Sequence, residues 1–162
     1  MRWTLANQLT LARIALVPLM VAAFYLPVWG GKLAAALFVL AAITDGLDGW
    51  LARVRNETTS FGSFLDPVAD KLLVATALVL LTAHGQVHEL AAAVIIGREI
   101  AISALREWLA GQRTRLAVSW LGKLKTVAQM VAIPMVFWQE PVAGIAVGWW
   151  GNLLLWLAAV LT

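Results

Sequence analysis

The sequence predicts an all-α, polytopic membrane protein of six transmembrane helices, and three observations carry that prediction. Hydrophobic residues make up 62% of the 162, against roughly 45–50% in soluble domains, and the mean hydropathy is +0.84. The apolar residues gather into six stretches, each near the roughly 20 helical residues that cross a bilayer core of about 30 Å. The stretches are rich in Ala and Leu and lack the two-residue alternation of a barrel strand.

The spans fall at about 8–28, 32–54, 63–83, 88–110, 122–138 and 141–161. Arg2 before the first span suggests a leader, but Arg13 interrupts the run, which continues through Pro18 to Tyr25. A retained helix is therefore expected rather than a cleaved signal. The second span follows "PVWGG" (27–31) and runs into "TDGLDGW". The third opens with "SFLDPVAD", where Pro67 is expected near the helix N-terminus and so tolerated. Before the fourth span, His84 and His88 stand four apart with Gly85 between them, in an outer loop where no metal role is expected. Glu99 and Glu107 in that span are expected to pair with neighbouring arginines. The fifth follows the polar stretch 111–125, and the sixth contains "GIAVG" (144–148), a small-xxx-small pattern that lets helices approach closely. No linker, repeat or soluble segment divides the chain, so residues 1–162 read as one domain.

Charge placement orients the bundle. With a cytoplasmic N-terminus, Arg2, Arg13, Arg53, Arg55, Lys71, Arg98, Arg106, Arg113, Arg115, Lys123 and Lys125 lie at or near the inner side, and Lys32 alone lies outside. That asymmetry is the positive-inside pattern. Trp3, Trp29, Trp50, Trp108, Trp120, Trp138 and Trp149 fall near span ends, as an interfacial aromatic belt requires. The absence of cysteine excludes disulfides and thiolate metal sites.

The chemistry-bearing residues are four aspartates. Asp45 and Asp48 are three apart and share a helix face that Gly49 and Ala52 continue; Asp66 and Asp70 are four apart on the next helix, one turn after Gly62. An antiparallel helix pair would bring the two sets face to face. Four converging carboxylates in a low-dielectric site cannot all stay ionised without cations. Mg²⁺ or Mn²⁺ suits an all-oxygen ligand set, and two such ions about 3.5–4 Å apart clamp a diphosphate during in-line displacement. The small residues leave room for a base or phosphate, and Arg53 supplies a bidentate phosphate donor. Helix capping or ion pairing with Arg53, Arg55 and Lys71 is the plainer role for any single aspartate, and an ion or proton path is the other reading of intramembrane carboxylates.

The segment "DGLDGWLARVRNETTSFGSFLDPVAD" matches the signature D-x2-D-G-x2-A-R-x8-G-x3-D-x3-D at Asp45, Asp48, Gly49, Ala52, Arg53, Gly62, Asp66 and Asp70. It thereby resembles the CDP-alcohol phosphatidyltransferase family. "NQLTLARIALVP" (7–18), "IGREIAISALREWLA" (96–110) and "VSWLGKLKTVAQMVAI" (118–133) extend the likeness and resemble the bacterial branch whose acceptor is sn-glycerol 3-phosphate. The resemblance implies a six-helix homodimer in the bacterial cytoplasmic membrane, with its active site facing the cytoplasm. It implies two Mg²⁺ or Mn²⁺ ions held by Asp45, Asp48, Asp66 and Asp70, with Asp70 as general base. CDP-diacylglycerol would meet Asp48, Gly49, Ala52, Arg53 and Gly62, and also Asn7, Thr10 and Arg13 of an N-terminal motif. The acceptor is itself a phosphomonoester and needs cations; Arg98, Arg106, Lys123 and Lys125 are the candidates, with Arg106 and Lys123 foremost.

Rival readings keep the chemistry with another acceptor (inositol phosphate, serine or phosphatidylglycerol) or make the chain a small cation transporter. A transporter needs a carboxylate track toward the outer face, where spans two and three become wholly apolar. Membrane lipids are expected partners, and nucleic acid is not.

Overall fold

The computed structural model describes residues 5–55, 60–112 and 120–161, without the side chains of 5–7, 48–55, 60–64, 110, 121 and 123. The described residues form six α-helices and no β-strand. They are α1 (Leu5–Phe24), α2 (Gly30–Arg55), α3 (Ser60–Ala83), α4 (Glu89–Gly111), α5 (Trp120–Trp138) and α6 (Val147–Val160). Two compact units divide within α3, at Ala77 and Leu78.

In the first unit, α1 packs on α2. The buried stripe of α1 is Thr10, Arg13, Val17, Met20 and Ala23, and that of α2 includes Ala34, Ala35, Phe38 and Ala41. Both repeat every three or four residues, the spacing that keeps one helical face against a neighbour. The α1–α2 turn is tight. A Cβ on Gly30 would lie 2.2 Å from the Phe24 carbonyl oxygen, so only glycine fits there. Val28 in that turn takes φ 69, an uncommon conformation for a β-branched residue.

In the second unit, α6 packs on α5 and touches α4. Gly151 brings α6 in: a Cβ there would meet Val136 Cγ2 at 2.8 Å and the Ala132 carbonyl oxygen at 3.0 Å. Asn152 Nδ2 donates to the Gln86 carbonyl at 2.8 Å, tying α6 to the α3–α4 turn.

Three local expectations are corrected. The close helix approach belongs to Gly151 rather than to "GIAVG", because Gly144 (φ 81) lies in the α5–α6 turn, where Val142 and Ile145 pair. Delayed by that turn, α6 has 14 residues, about 21 Å at 1.5 Å per residue and shorter than the span expected. Pro67 is the eighth residue of α3, well beyond its first turn, and its missing amide leaves the carbonyl of residue 63 without its helical partner.

The window Gly30–Leu47 is long and apolar enough to cross a membrane, while Gln8–Phe24, Leu124–Trp138 and Val147–Val160 are shorter apolar helices. In α3 and α4 the apolar run is cut by Asp66, Asp70 and Lys71, and by Arg98, Glu99, Arg106 and Glu107.

Candidate active site

In the first unit, the apolar stripes of three helices turn polar at the same level. On α1 the stripe ends in Arg13 and Thr10, both buried; on α2, Asp45 follows Ala41 by one turn. On α3, Asp66 and Asp70 sit one turn apart beside the buried Ala69, Leu73 and Val74. Helical periodicity therefore aims these side chains at the packing seam.

Arg13 Nη1 stands 2.8 Å from Asp45 Oδ1 and 2.9 Å from Asp70 Oδ1, so a single nitrogen joins carboxylates of α2 and α3. Those two oxygens consequently lie within the sum of these distances of each other. Thr10 Oγ1 donates to Asp66 Oδ1 at 2.6 Å. The guanidinium is fully buried, whereas the Asp45 and Asp70 side chains remain 38% and 36% exposed. A buried cation demands such partners, and the open carboxylate edges remain within reach of solvent.

The donor set fits a hard divalent cation. Asp45, Asp66 and Asp70 carry three formal negative charges against one positive charge on Arg13, and every candidate ligand atom is oxygen. Among the described residues, no three His, Cys, Asp or Glu side chains meet as a metal group. Asp48 is among the side chains outside the description, as are Asn7, Gly49, Ala52, Arg53 and Gly62. Of the eleven donor-side residues named from sequence, Asp45, Asp66, Asp70, Thr10 and Arg13 are the described ones, and they are brought together.

In the second unit the basic residues separate. Lys125 on α5 is buried and its Nζ meets Glu99 Oε1 of α4 at 2.5 Å. Glu99 thus pairs with a lysine 26 residues away, where sequence pointed to a neighbouring arginine. Arg98 is half-buried, and its buried Nη1 has no acceptor among the described residues. Arg106 is exposed, and Lys123 lies outside the described side chains. Gln129, unremarked as a site residue from sequence, is 3% exposed on the same α5 face as Lys125. The available signal was a polar residue on the otherwise apolar stripe of Ala132, Ile133 and Val136. His84 and His88 are exposed; His84 Nδ1 lies 2.9 Å from the Leu80 carbonyl oxygen and His88 Nδ1 accepts from the Leu90 amide.

Comparison with known proteins agrees with the signature. A protein of Escherichia coli (strain K12), named CDP-diacylglycerol–glycerol-3-phosphate 3-phosphatidyltransferase, is 52% identical over 169 aligned positions, covering 100% of this chain and 90% of its own. Proteins of the same name from Pectobacterium atrosepticum and Salmonella choleraesuis are 52% and 51% identical with the same coverage. The profile of CDP-alcohol phosphatidyltransferases matches residues 3–162. With the complete aspartate signature, and with three of its four aspartates paired to Arg13 and Thr10 of α1, the chain belongs to the CDP-alcohol phosphatidyltransferase family.

Proposed function

We propose that the chain transfers the phosphatidyl group from CDP-diacylglycerol to sn-glycerol 3-phosphate, releasing CMP. The observation that carries the acceptor is the 52% identity to an enzyme of that name across the whole of this chain. In this reading residues 1–162 form one domain in the bacterial cytoplasmic membrane, a six-span homodimer with the active site on the cytoplasmic side. Support for membrane residence comes from exposed apolar side chains such as Leu19, Val39, Leu40, Ile43, Val127 and Leu157. A soluble protein rarely leaves so much apolar surface open.

Asp45, Asp48, Asp66 and Asp70 are the residues that would hold Mg²⁺ or Mn²⁺. Bound there, such ions would neutralise the diphosphate and polarise its phosphoryl oxygens. Arg13 and Thr10 position the carboxylates of Asp45, Asp66 and Asp70. Asn7, Gly49, Ala52, Arg53 and Gly62 are assigned to CDP-diacylglycerol, together with Asp48, Thr10 and Arg13. Asp70 accepts the proton of the C1 hydroxyl as that oxygen bonds to the lipid-side phosphorus. The bond from this phosphorus to the bridging oxygen breaks, and CMP departs with the electron pair. Among the acceptor-phosphate candidates Arg98, Arg106, Lys123 and Lys125, the inward Arg98 now ranks above the exposed Arg106.

CMP release by the purified protein from CDP-diacylglycerol, measured with a panel of acceptors, tests the reading. Glycerol 3-phosphate should support release, while serine, inositol phosphate and phosphatidylglycerol should not. Asp70→Asn should lower turnover by at least a thousandfold in a protein that still folds, and near-normal turnover would remove Asp70 as the base. Its melting temperature should be lower, because the buried Arg13 keeps only Asp45 as a charged partner among the described residues.

A further inference from the structure

Within the first unit, each described aspartate turns one oxygen to α1. Asp45 and Asp70 present Oδ1 to Arg13 Nη1 at 2.8 and 2.9 Å, and Asp66 Oδ1 accepts from Thr10 Oγ1 at 2.6 Å. Arg13 and Thr10 are buried, so α1 forms a floor beneath the carboxylates. The side chains of Asp45 and Asp70 are more than one-third exposed. A cation arriving from solvent therefore meets the open carboxylate edges and not the guanidinium.

Arg13 then either gives way to that cation or shares the carboxylates with it. Giving way requires another place for the guanidinium. The next buried positions on its face of α1, Val17 and Met20, are apolar, and an arginine parted from its carboxylates there is a stranded buried charge. Sharing is the less costly course, because each carboxylate has a second oxygen to offer. A guanidinium that stays holds the carboxylates in place, and as a like charge it also weakens their grip on a divalent ion.

The charge balance says what restores that grip. The signature's four aspartates, set against Arg13, leave three negative charges. Two divalent ions exceed that by one positive charge, whereas with a neutral residue at position 13 the aspartates alone would balance them. An anionic diphosphate removes the excess. We infer that Arg13 is a positioning residue that makes divalent-ion binding depend on the donor's diphosphate: it stays on Asp45 and Asp70, and its charge keeps the ions weakly held until that diphosphate arrives. This rests on the reading of the aspartates as ligands of Mg²⁺ or Mn²⁺ and of the donor as a CDP derivative.

The test measures Mn²⁺ binding to the full-length protein in detergent, from the electron paramagnetic resonance signal of the free ion. Titrations are run alone and with dioctanoyl CDP-diacylglycerol, without acceptor so that no turnover occurs, and binding of Mn²⁺ to the nucleotide itself is subtracted. In the unsubstituted protein the donor should tighten Mn²⁺ binding about tenfold or more. Arg13→Met should bind Mn²⁺ about tenfold more tightly than the unsubstituted protein when donor is absent, and the donor should then add less than about threefold. Arg13→Lys keeps the charge, so its Mn²⁺ affinity and its response to donor should stay within about threefold of the unsubstituted protein. Arg13→Gln is the second neutral variant if R13M does not accumulate. A merely structural role moves Mn²⁺ affinity the other way: weaker binding in the neutral variants overturns the inference. A donor effect that persists undiminished in them overturns it too, as does the absence of any donor effect in the unsubstituted protein. Failure of the unsubstituted protein to bind Mn²⁺ with or without donor removes the metal reading itself, and this inference with it.

Discussion

Arg13 belongs to the N-terminal motif, but no local pattern discloses which residues it meets. In sequence it interrupts an apolar span; in the fold its Nη1 bridges Asp45 and Asp70, 32 and 57 positions along the chain. The spacing of the aspartates did reveal that they act together, because i, i+3 and i, i+4 placement fixes a shared face before any tertiary contact exists. Which cation meets them is a tertiary fact. Glu99 makes the same point, and its pair with Lys125 yields a stability prediction. The Lys125 side chain is 8% exposed and that of Glu99 is 30% exposed, so the two deletions are unequal. Glu99→Gln strands a buried ammonium, while Lys125→Met leaves a carboxylate that water can reach. Thermal melting in detergent should show E99Q destabilised by about 2–3 kcal/mol and K125M by about 1 kcal/mol or less. Equal losses would mean that the pair is not anchored by the burial of Lys125.

At the scale of the element, helices α2 to α5 begin and end within about three residues of their expected spans, because the charged and turn residues that bound them punctuate long apolar runs. The last helix escaped that reading. "WQEP" (138–141) reads as a connection, but the mostly apolar "VAGIAVG" after it reads as helix. In the fold the turn runs on, and Gln139, Ala143 and Gly144 all take positive φ. The contact that matters lies one turn further on. A methyl on Gly151 would press on Val136 Cγ2 at 2.8 Å and on the Ala132 carbonyl oxygen at 3.0 Å, whereas one on Gly148 finds Gln139 Cα at 3.4 Å. Gly151→Ala should therefore destabilise by about 1–3 kcal/mol through overpacking. Gly148→Ala should be neutral or stabilising by up to about 1 kcal/mol, since it relieves glycine's entropy cost in a helix. Melting curves of the two variants would decide, and a reversed order would place the α5–α6 contact elsewhere.

For the whole molecule, the orientation proposed from charge becomes a parity argument once the helices are fixed. Four helices, α2 to α5, separate the α1–α2 turn from the α5–α6 turn, so any arrangement in which each crosses must return both turns to one side. Three helices separate the first turn from the end of α4, which places Gln112 on the opposite side. The aromatic residues agree in kind: Trp29, Trp108, Trp120, Trp138 and Trp149 are exposed at or near helix ends, where an interfacial belt would hold them. The chain has no cysteine, so each introduced thiol reports alone. In intact spheroplasts, Val28→Cys and Glu140→Cys should react with a membrane-impermeant maleimide, while Gln112→Cys should react only after lysis. Reversal of all three would invert the topology and put the aspartates outside. Labelling of positions 28 and 140 from opposite sides would be more damaging, because an odd number of crossings between them means that one of α2 to α5 does not span. Helices α3 and α4 are the ones to suspect in that event, since their apolar runs are interrupted by the charged residues proposed here to do the chemistry.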